Sequence, residues 1–284
     1  MKPILKRALL IVMIGVFALG SSALMIWLNL RTTQQAAKYE LAGEGLRLKK
    51  YHGSSEKTRL EIPDEAEGTD GNMLPVTALG EFSISNASYL EELVIGANVE
   101  NIHPWAVTNC EALRAIEVDP ANQHFVSADG VLYTKDMTKL VLFPNKNTET
   151  LVIPEGVAVI GENAFYKCKS LLKITFPKSL RELEEKALFR CAGLKELKLP
   201  EGLEVIGVDA FAFCDGLEGE VHIPASCTEI KPYAFSSIDS KIDKIVILAD
   251  KSKITIPDDK NWLPMKEKKA NALVDFEFAK NKTN

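Results

Sequence analysis

Residues 151–171 read LVIPEGVAVIGENAFYKCKSL, residues 174–194 read ITFPKSLRELEEKALFRCAGL, and residues 197–217 read LKLPEGLEVIGVDAFAFCDGL. Superimposed, they place Pro154, Pro177 and Pro200 in one column, Cys168, Cys191 and Cys214 in a second, and Leu171, Leu194 and Leu217 in a third, each step being 23 residues. Recurrence at one fixed period of about 20–50 residues is the mark of a stacked repeat. The columns extend outward with more drift. Residues 93–113 carry Val107, Cys110 and Leu113 at the same offsets, residues 77–90 put Ile84 and Ala87 at the Phe and Cys positions, and residues 221–238, entered at a spacing of 24, bring Phe235 to the Phe position. Five clear units follow one degenerate unit at the front.

The unit cannot fold alone. Leu197 and Leu199 alternate with Lys198, the two-residue period of a short strand with one face inward. Pro200 ends the strand, Glu201-Gly202 turns the chain, and a second short extended piece and a compact segment around Ala210-Phe211 return it to Leu217. One coil buries roughly seven apolar side chains worth ~1.5–3 kcal/mol each, against ~1–2 kcal/mol of backbone ordering for every residue. Stacking removes that deficit by covering both flanks of each coil. The predicted fold is therefore a repeat solenoid with a parallel β-sheet on one side, strands about 4.8 Å apart, and short irregular or helical turns on the other.

The unit Leu-x-x-Ile-x-Ile-Pro-x-x-Val-x-x-Ile-Gly-x-x-Ala-Phe-x-x-Cys-x-x-Leu resembles the BspA-like leucine-rich repeats, and the resemblance covers residues 60–247. It implies a leucine-rich-repeat solenoid and a surface-exposed or secreted protein, some members of the family being implicated in adhesion to host or matrix proteins. Departures from the unit are local: His103, Glu184 and Lys231 stand at the Gly position and Val107 and Leu188 at the Phe position, which predicts distorted turns there. Glu117 and Val152 lie 35 residues apart where a plain coil needs 23, so one coil is elaborated at about residues 119–148. Residues 131–133 and 140–143 flank Lys-Asp-Met-Thr there, which predicts a hairpin projecting from the solenoid.

The first thirty residues are of another kind. Lys2, Lys6 and Arg7 precede an uncharged run at residues 8–30, long enough to cross a hydrocarbon core that needs ~20 apolar residues. The small patch Gly20-Ser21-Ser22-Ala23 is either a cleavage site or helix interior, so the run is a transmembrane signal anchor or a cleaved signal helix. With only Arg31 close behind the run, the positive-inside bias places residues 1–7 in the cytoplasm and the remainder outside. Residues 31–59 are read as stalk and N-terminal cap. Residues 248–284 are read as C-terminal cap and tail, with Trp262 and Leu263 over the open end of the core.

Chemistry is sparse. The formal charge of −5 arises from 34 basic and 39 acidic residues scattered along the chain, so no basic field gathers nucleic acid. Cys110, Cys168, Cys191 and Cys214 share one internal column and Cys227 replaces an aliphatic residue, the pattern of buried thiols; a disulfide between stacked neighbours or a metal site is the alternative. His52, His103, His124 and His222 lie in no zinc or nucleophile motif, and the paired acids Glu184-Glu185 and Asp258-Asp259 lie in loops. No catalytic residue, metal ligand or cofactor is predicted, and the chain is read as a non-enzyme. The candidate ligand-facing row comprises Val94, Glu117, Val152, Thr175, Lys198 and His222, outward positions of successive strands. The expected partner is an extracellular protein or glycan, with the membrane engaged through the N-terminal helix. A spacer of the cell envelope without a ligand is the alternative.

Overall fold

The computed structural model describes residues 37–53, 57–146, 148–266 and 275–278. The apolar run at residues 8–30 lies outside them. Among the described residues no helix is long and apolar enough to cross a membrane.

The chain winds into a solenoid walled by two parallel ladders, where the sequence had predicted a sheet on one side. In the first ladder Arg59–Glu61, Glu92–Ile95 and Ala115–Val118 pair in parallel, as do Thr150–Val152 with Lys173–Thr175, and Glu218–Ile223 with Asp239–Ile247 and Asp275–Phe278. In the second, Lys139–Leu142, Val159–Ile160, Glu182–Leu183, Val205–Ile206 and Glu229–Ile230 follow one another in strict parallel register. This second row is the Val-x-x-Ile stretch of each repeat, read from sequence as a second short extended piece but too short for alternation to reveal it as a second ladder.

On the third side the predicted irregular or helical turns are three successive overlapping tight turns. Ala164 N–H bonds Gly161 C=O, Tyr166 bonds Asn163 and Cys168 bonds Phe165, at 3.0–3.1 Å. Asn163 and Lys167 hold φ of +57° and +62°, as do Lys186 and Arg190 (+55° and +63°) and Asp209 and Phe213 (+54° and +61°) one coil further on each time. A left-handed residue every fourth position stops a helix from propagating, at a cost of roughly 1–2 kcal/mol per residue. Stacking offsets that cost, because the amides of these residues donate to the next coil: Lys167 to Phe189 C=O and Arg190 to Ala212 C=O, both at 2.9 Å.

Distorted turns were predicted where the repeat glycine is replaced. The same bond to the preceding coil is nevertheless kept, at 3.0 Å for His103 to Leu79 C=O, 3.0 Å for Glu184 to Ile160 C=O and 2.9 Å for Lys231 to Ile206 C=O, against 2.9 and 2.8 Å for Gly161 and Gly207. The column alternates: a Cβ at Gly207 would fall 2.5 Å from the Glu184 carbonyl carbon, so glycine is needed above the coil that lacks it.

The elaborated coil does not project. Phe125–Ala128, Val131–Thr134 and Lys139–Leu142 form an antiparallel meander, and the last strand enters the second ladder. Val131 and Tyr133 are buried in the core of the following coils, whereas Leu132 between them is buried in the core of the preceding ones. Strand alternation thus turns the insertion into a wall with a hydrophobic core on each face.

At each end of the described coils a further element packs against them. The hairpin Ala37–Ala42 with Gly45–Tyr51 lies where a stalk and cap were predicted, and its second strand runs parallel to Met73–Leu79. At the other end Trp262 is fully buried, and its C=O accepts the Phe235 N–H at 2.8 Å, the bond a further coil would have supplied. Its ring packs edge-on to Phe235 and Phe276 at 6.5 and 5.3 Å.

Candidate interaction surface

Outward positions of the first ladder carry the six residues singled out from sequence. Val94 pairs with Glu117, Val152 with Thr175, and Lys198 bridges His222. Their sequence neighbours Leu93, Ile116, Ile174, Leu197 and Val221 point into the core. Val94 is half-buried and the other five are exposed. The row comes in three blocks. Between Glu117 and Val152 the ladder is interrupted, because the chain leaves the first ladder for the meander before rejoining it at Thr150. Two blocks also extend beyond the six: Glu61 pairs with Val94, and His222 continues to Val246 and Glu277.

Ion pairs lace these blocks, some across coils and some within one coil. Arg59 places its guanidinium 2.8 Å from Glu92 and 3.0 Å from Glu117. Glu196 receives Lys173 at 2.7 Å and Lys198 at 2.8 Å, and hydrogen bonds from these two lysines lower its carboxyl to about 2. His222 lies 3.2 Å from Glu220. Exposed pairs of this kind contribute only about 0–1 kcal/mol each, so what they organise is the pattern of charge on the face more than the stability of the coil. Amid the charges Val152 is a large apolar side chain left 71% exposed. Arg59, Lys173 and Glu196 were not picked out from sequence. Opposite charges one repeat apart, such as Lys173 with Glu196 and Lys195 with Glu218, are the signal that finds them.

The cysteine column is interior. All five thiols are free and buried. Cys191 Sγ donates to Phe165 C=O at 3.1 Å, Cys214 to Leu188 C=O at 3.2 Å and Cys110 to Ile84 C=O at 3.4 Å, so each ties its coil to the one before. Burial pushes the Cys168 thiol up to about 12 and those of Cys110 and Cys227 to about 11, which keeps them protonated and poor nucleophiles. Among the described residues no group of three or more His, Cys, Asp or Glu is placed to hold a metal ion.

The model of the BspA type leucine rich repeat region matches six copies in this chain, over residues 73–128 and 139–257. Among curated proteins none matches. Solved structures share the fold: a leucine rich cell surface protein from Faecalibacterium prausnitzii, 17% identical with a TM-score of 0.54 over 87% of this chain and 94% of that one; the pneumococcal vaccine antigen PcpA, 15% identical with a TM-score of 0.53 over 87% of each; and a leucine-rich repeat protein from Eubacterium ventriosum, 21% identical with a TM-score of 0.50 over 73% of this chain and 63% of that one. With its repeat columns, its coil geometry and the family match in agreement over most of its length, the chain belongs to the BspA-type leucine-rich repeat family.

Proposed function

We propose that this chain is a binding module of the cell exterior, which engages an extracellular protein or glycan through the outward row of its first ladder. One observation carries the reading: Glu117, Val152, Thr175, Lys198 and His222 stand exposed at outward positions of the first ladder's three blocks, in a pattern of both charges around an exposed apolar side chain. A solenoid offers such a surface without folding anything new, so little ordering entropy is lost on binding. Family membership and the description of the Faecalibacterium relative as a cell surface protein support the location. In this reading residues 8–30 anchor the chain with its N-terminus in the cytoplasm, or are cleaved to release it. N-terminal sequencing of the exported protein separates those two fates.

The test is capture of surface proteins and screening of glycans with the purified protein, followed by the Lys198→Glu and His222→Ala variants. A partner retained by the parent protein and released by these variants is the expected result. A second reading, a spacer without a ligand, is favoured by the pairing of Arg59 and Lys173 across coils and of Lys198 with Glu196 within its own coil, which satisfies the row from within. Failure to retain any partner, or retention indifferent to both substitutions, selects the spacer.

A further inference from the structure

One coil is three residues short on its turn side. Between the paired positions of the second and first ladders, residues 160 and 173 are 13 apart, whereas their partners 140 and 150 are 10 apart. Phe143 occupies the Phe position: its ring stacks on Phe165 at 4.9 Å, and its N–H bonds Ala164 C=O at 2.8 Å as that of Phe165 bonds Ala187 C=O at 2.9 Å. After Phe143 comes Pro144, and among the described residues before Thr150 the i to i+3 turns of the other coils are not repeated; Lys146 N–H bonds Pro144 C=O and Thr148 N–H bonds Lys146 C=O, both at 2.7 Å. The turns of the flanking coils therefore overhang a gap. Tyr166 meets Trp105 edge-on across it at 5.2 Å, and Lys167 Nζ reaches Asn109 Oδ1 at 2.7 Å.

The gap leaves a donor unused. Asn86 N–H bonds Thr108 C=O at 3.0 Å, and the corresponding amides of Lys167, Arg190 and Phe213 bond the next coil at 2.9, 2.9 and 3.2 Å. The Asn109 amide, at the same position of its own coil, makes no such bond among the described residues. On the same wall Thr108, 4% exposed, has a hydroxyl without a hydrogen-bond partner among the described residues. The cleft is about 290 Å³ and opens into a depression of about 410 Å³ that shares Glu111, Asn145 and Lys169 with it. Together they are lined by Arg114, Lys146, Lys167 and Lys169 and by one carboxylate, Glu111. Arg114 is itself paired with Glu91 at 2.6 Å and Lys146 donates to Asp129 C=O at 2.6 Å, which leaves the three lysines as the cleft's net positive charge. Lys169 is exposed and has no carboxylate partner among the described residues.

We propose that this cleft is a second binding site, separate from the outward row, for an acidic oligosaccharide bearing carboxylate or sulfate groups. Spaced cations and a free backbone amide suit anionic oxygens. The Asn145 amide beside them suits a sugar's hydroxyls. An acidic peptide added as a strand needs an edge of alternating donors and acceptors, and the cleft offers the Asn109 amide without such an edge.

The test is calorimetric titration of the full-length chain at low salt with three probes: a heparin-derived hexasaccharide, a hexagalacturonate and hexaglutamate. Binding of either saccharide is expected. The Lys169→Glu and Lys146→Glu variants, both at exposed or half-buried side chains, weaken it about tenfold or more while circular dichroism stays unchanged. Lys198→Glu, on the outward row, leaves it unchanged. The hexasaccharide and hexagalacturonate arms separate sulfate from carboxylate. Unaltered affinity in the Lys169 and Lys146 variants, an equal loss in Lys198→Glu, no saccharide binding, or hexaglutamate bound as tightly as the saccharides overturns the proposal; an outward-row partner lost only in Lys198→Glu leaves the first site standing by itself.

Discussion

In the coils after residue 150 the Phe column holds Phe165, Leu188, Phe211 and Phe235, all with no exposed surface, and the Cys column holds three fully buried or nearly buried thiols, Cys168, Cys191 and Cys214. In the coils before the meander the same columns hold Ile84 and the half-buried Val107, then Ala87 and a Cys110 that is 7% exposed. Apart from the Asn109 amide, both regions share the inter-coil hydrogen bonds of the turn side, so the main difference lies in how much apolar volume each coil gives its neighbours. Repeat stability is approximately a sum of coil terms and nearest-neighbour interface terms. The later region is therefore the stiffer stack, and the earlier one depends on its end hairpin and on the meander wall.

Phe211 tests the largest difference. It is buried on every side and stacks on Phe235 at 5.0 Å, so Phe211→Ala is expected to cost about 3–5 kcal/mol. Val107→Ala, at the equivalent position of the earlier region, is expected to cost below about 1.5 kcal/mol, the range for losing little buried volume. Urea denaturation of both variants measures the pair, and equal costs break the comparison.

Leu132 sharpens it. Its side chain has no exposure and belongs to the earlier core, while Val131 and Tyr133 belong to the later one. Leu132→Ala is expected to cost about 2–5 kcal/mol. Hydrogen exchange should quicken at Leu93, Ile95 and Ile116 in the earlier core, with little change at Leu183 and Ile206 in the later one. Uniform acceleration along the chain would show that the wall transmits strain instead of dividing two stacks.

Much of this architecture was legible from residues alone, and the reasons are specific. The Pro, Cys and Leu columns repeat because every coil buries the same side chains, so the period, the solenoid and the inward cysteines could be read directly. The outward row was legible as strand alternation, but its interruption after Glu117 was not, since that depends on where the long coil sends its chain. Residues 131–133 form a run with no polar member, which on its face is a buried strand; that both of its faces meet a core could be seen only once the coils on either side were in place. The cleft was hidden for a similar reason. A coil with more residues than its neighbours gives no sign that its turn side is three residues short, until the ladder register shows how many were spent on the meander.

The thiols give a pH test of the same contrast. A buried thiol whose folded pKa lies above the unfolded value of 9.0 keeps its stabilising effect below pH 9 and loses it as pH rises toward the folded value, about 12 for Cys168 and about 11 for Cys110. Thermal melts should therefore fall from pH 9 upward, by at most about 1.4 kcal/mol per pH unit for each thiol still protonated in the folded state. Cys168→Ala should flatten that fall more than Cys110→Ala does. Alkylation at pH 8 should reach Cys110 before Cys168, Cys191 or Cys214, because it is the one of the four beside the cleft and the most exposed. A Cys191 or Cys214 labelled first would mean that the later stack opens more readily than the earlier one.

The smallest expected effect on stability is at the outward row, and its smallness makes it useful. Glu196 holds Lys173 and Lys198 on the surface of the later stack, and breaking exposed pairs of this kind with Lys198→Ala should change stability by no more than about 1 kcal/mol. Because its carboxyl is held near 2, the pairing should survive acidification to about pH 3 and respond to salt more than to pH. Lys198→Ala melted at low and high salt against the parent protein checks this. A loss approaching that of Phe211→Ala would mean that the row is part of what holds the coils together, and its charges would then owe their arrangement to the fold and not to a partner.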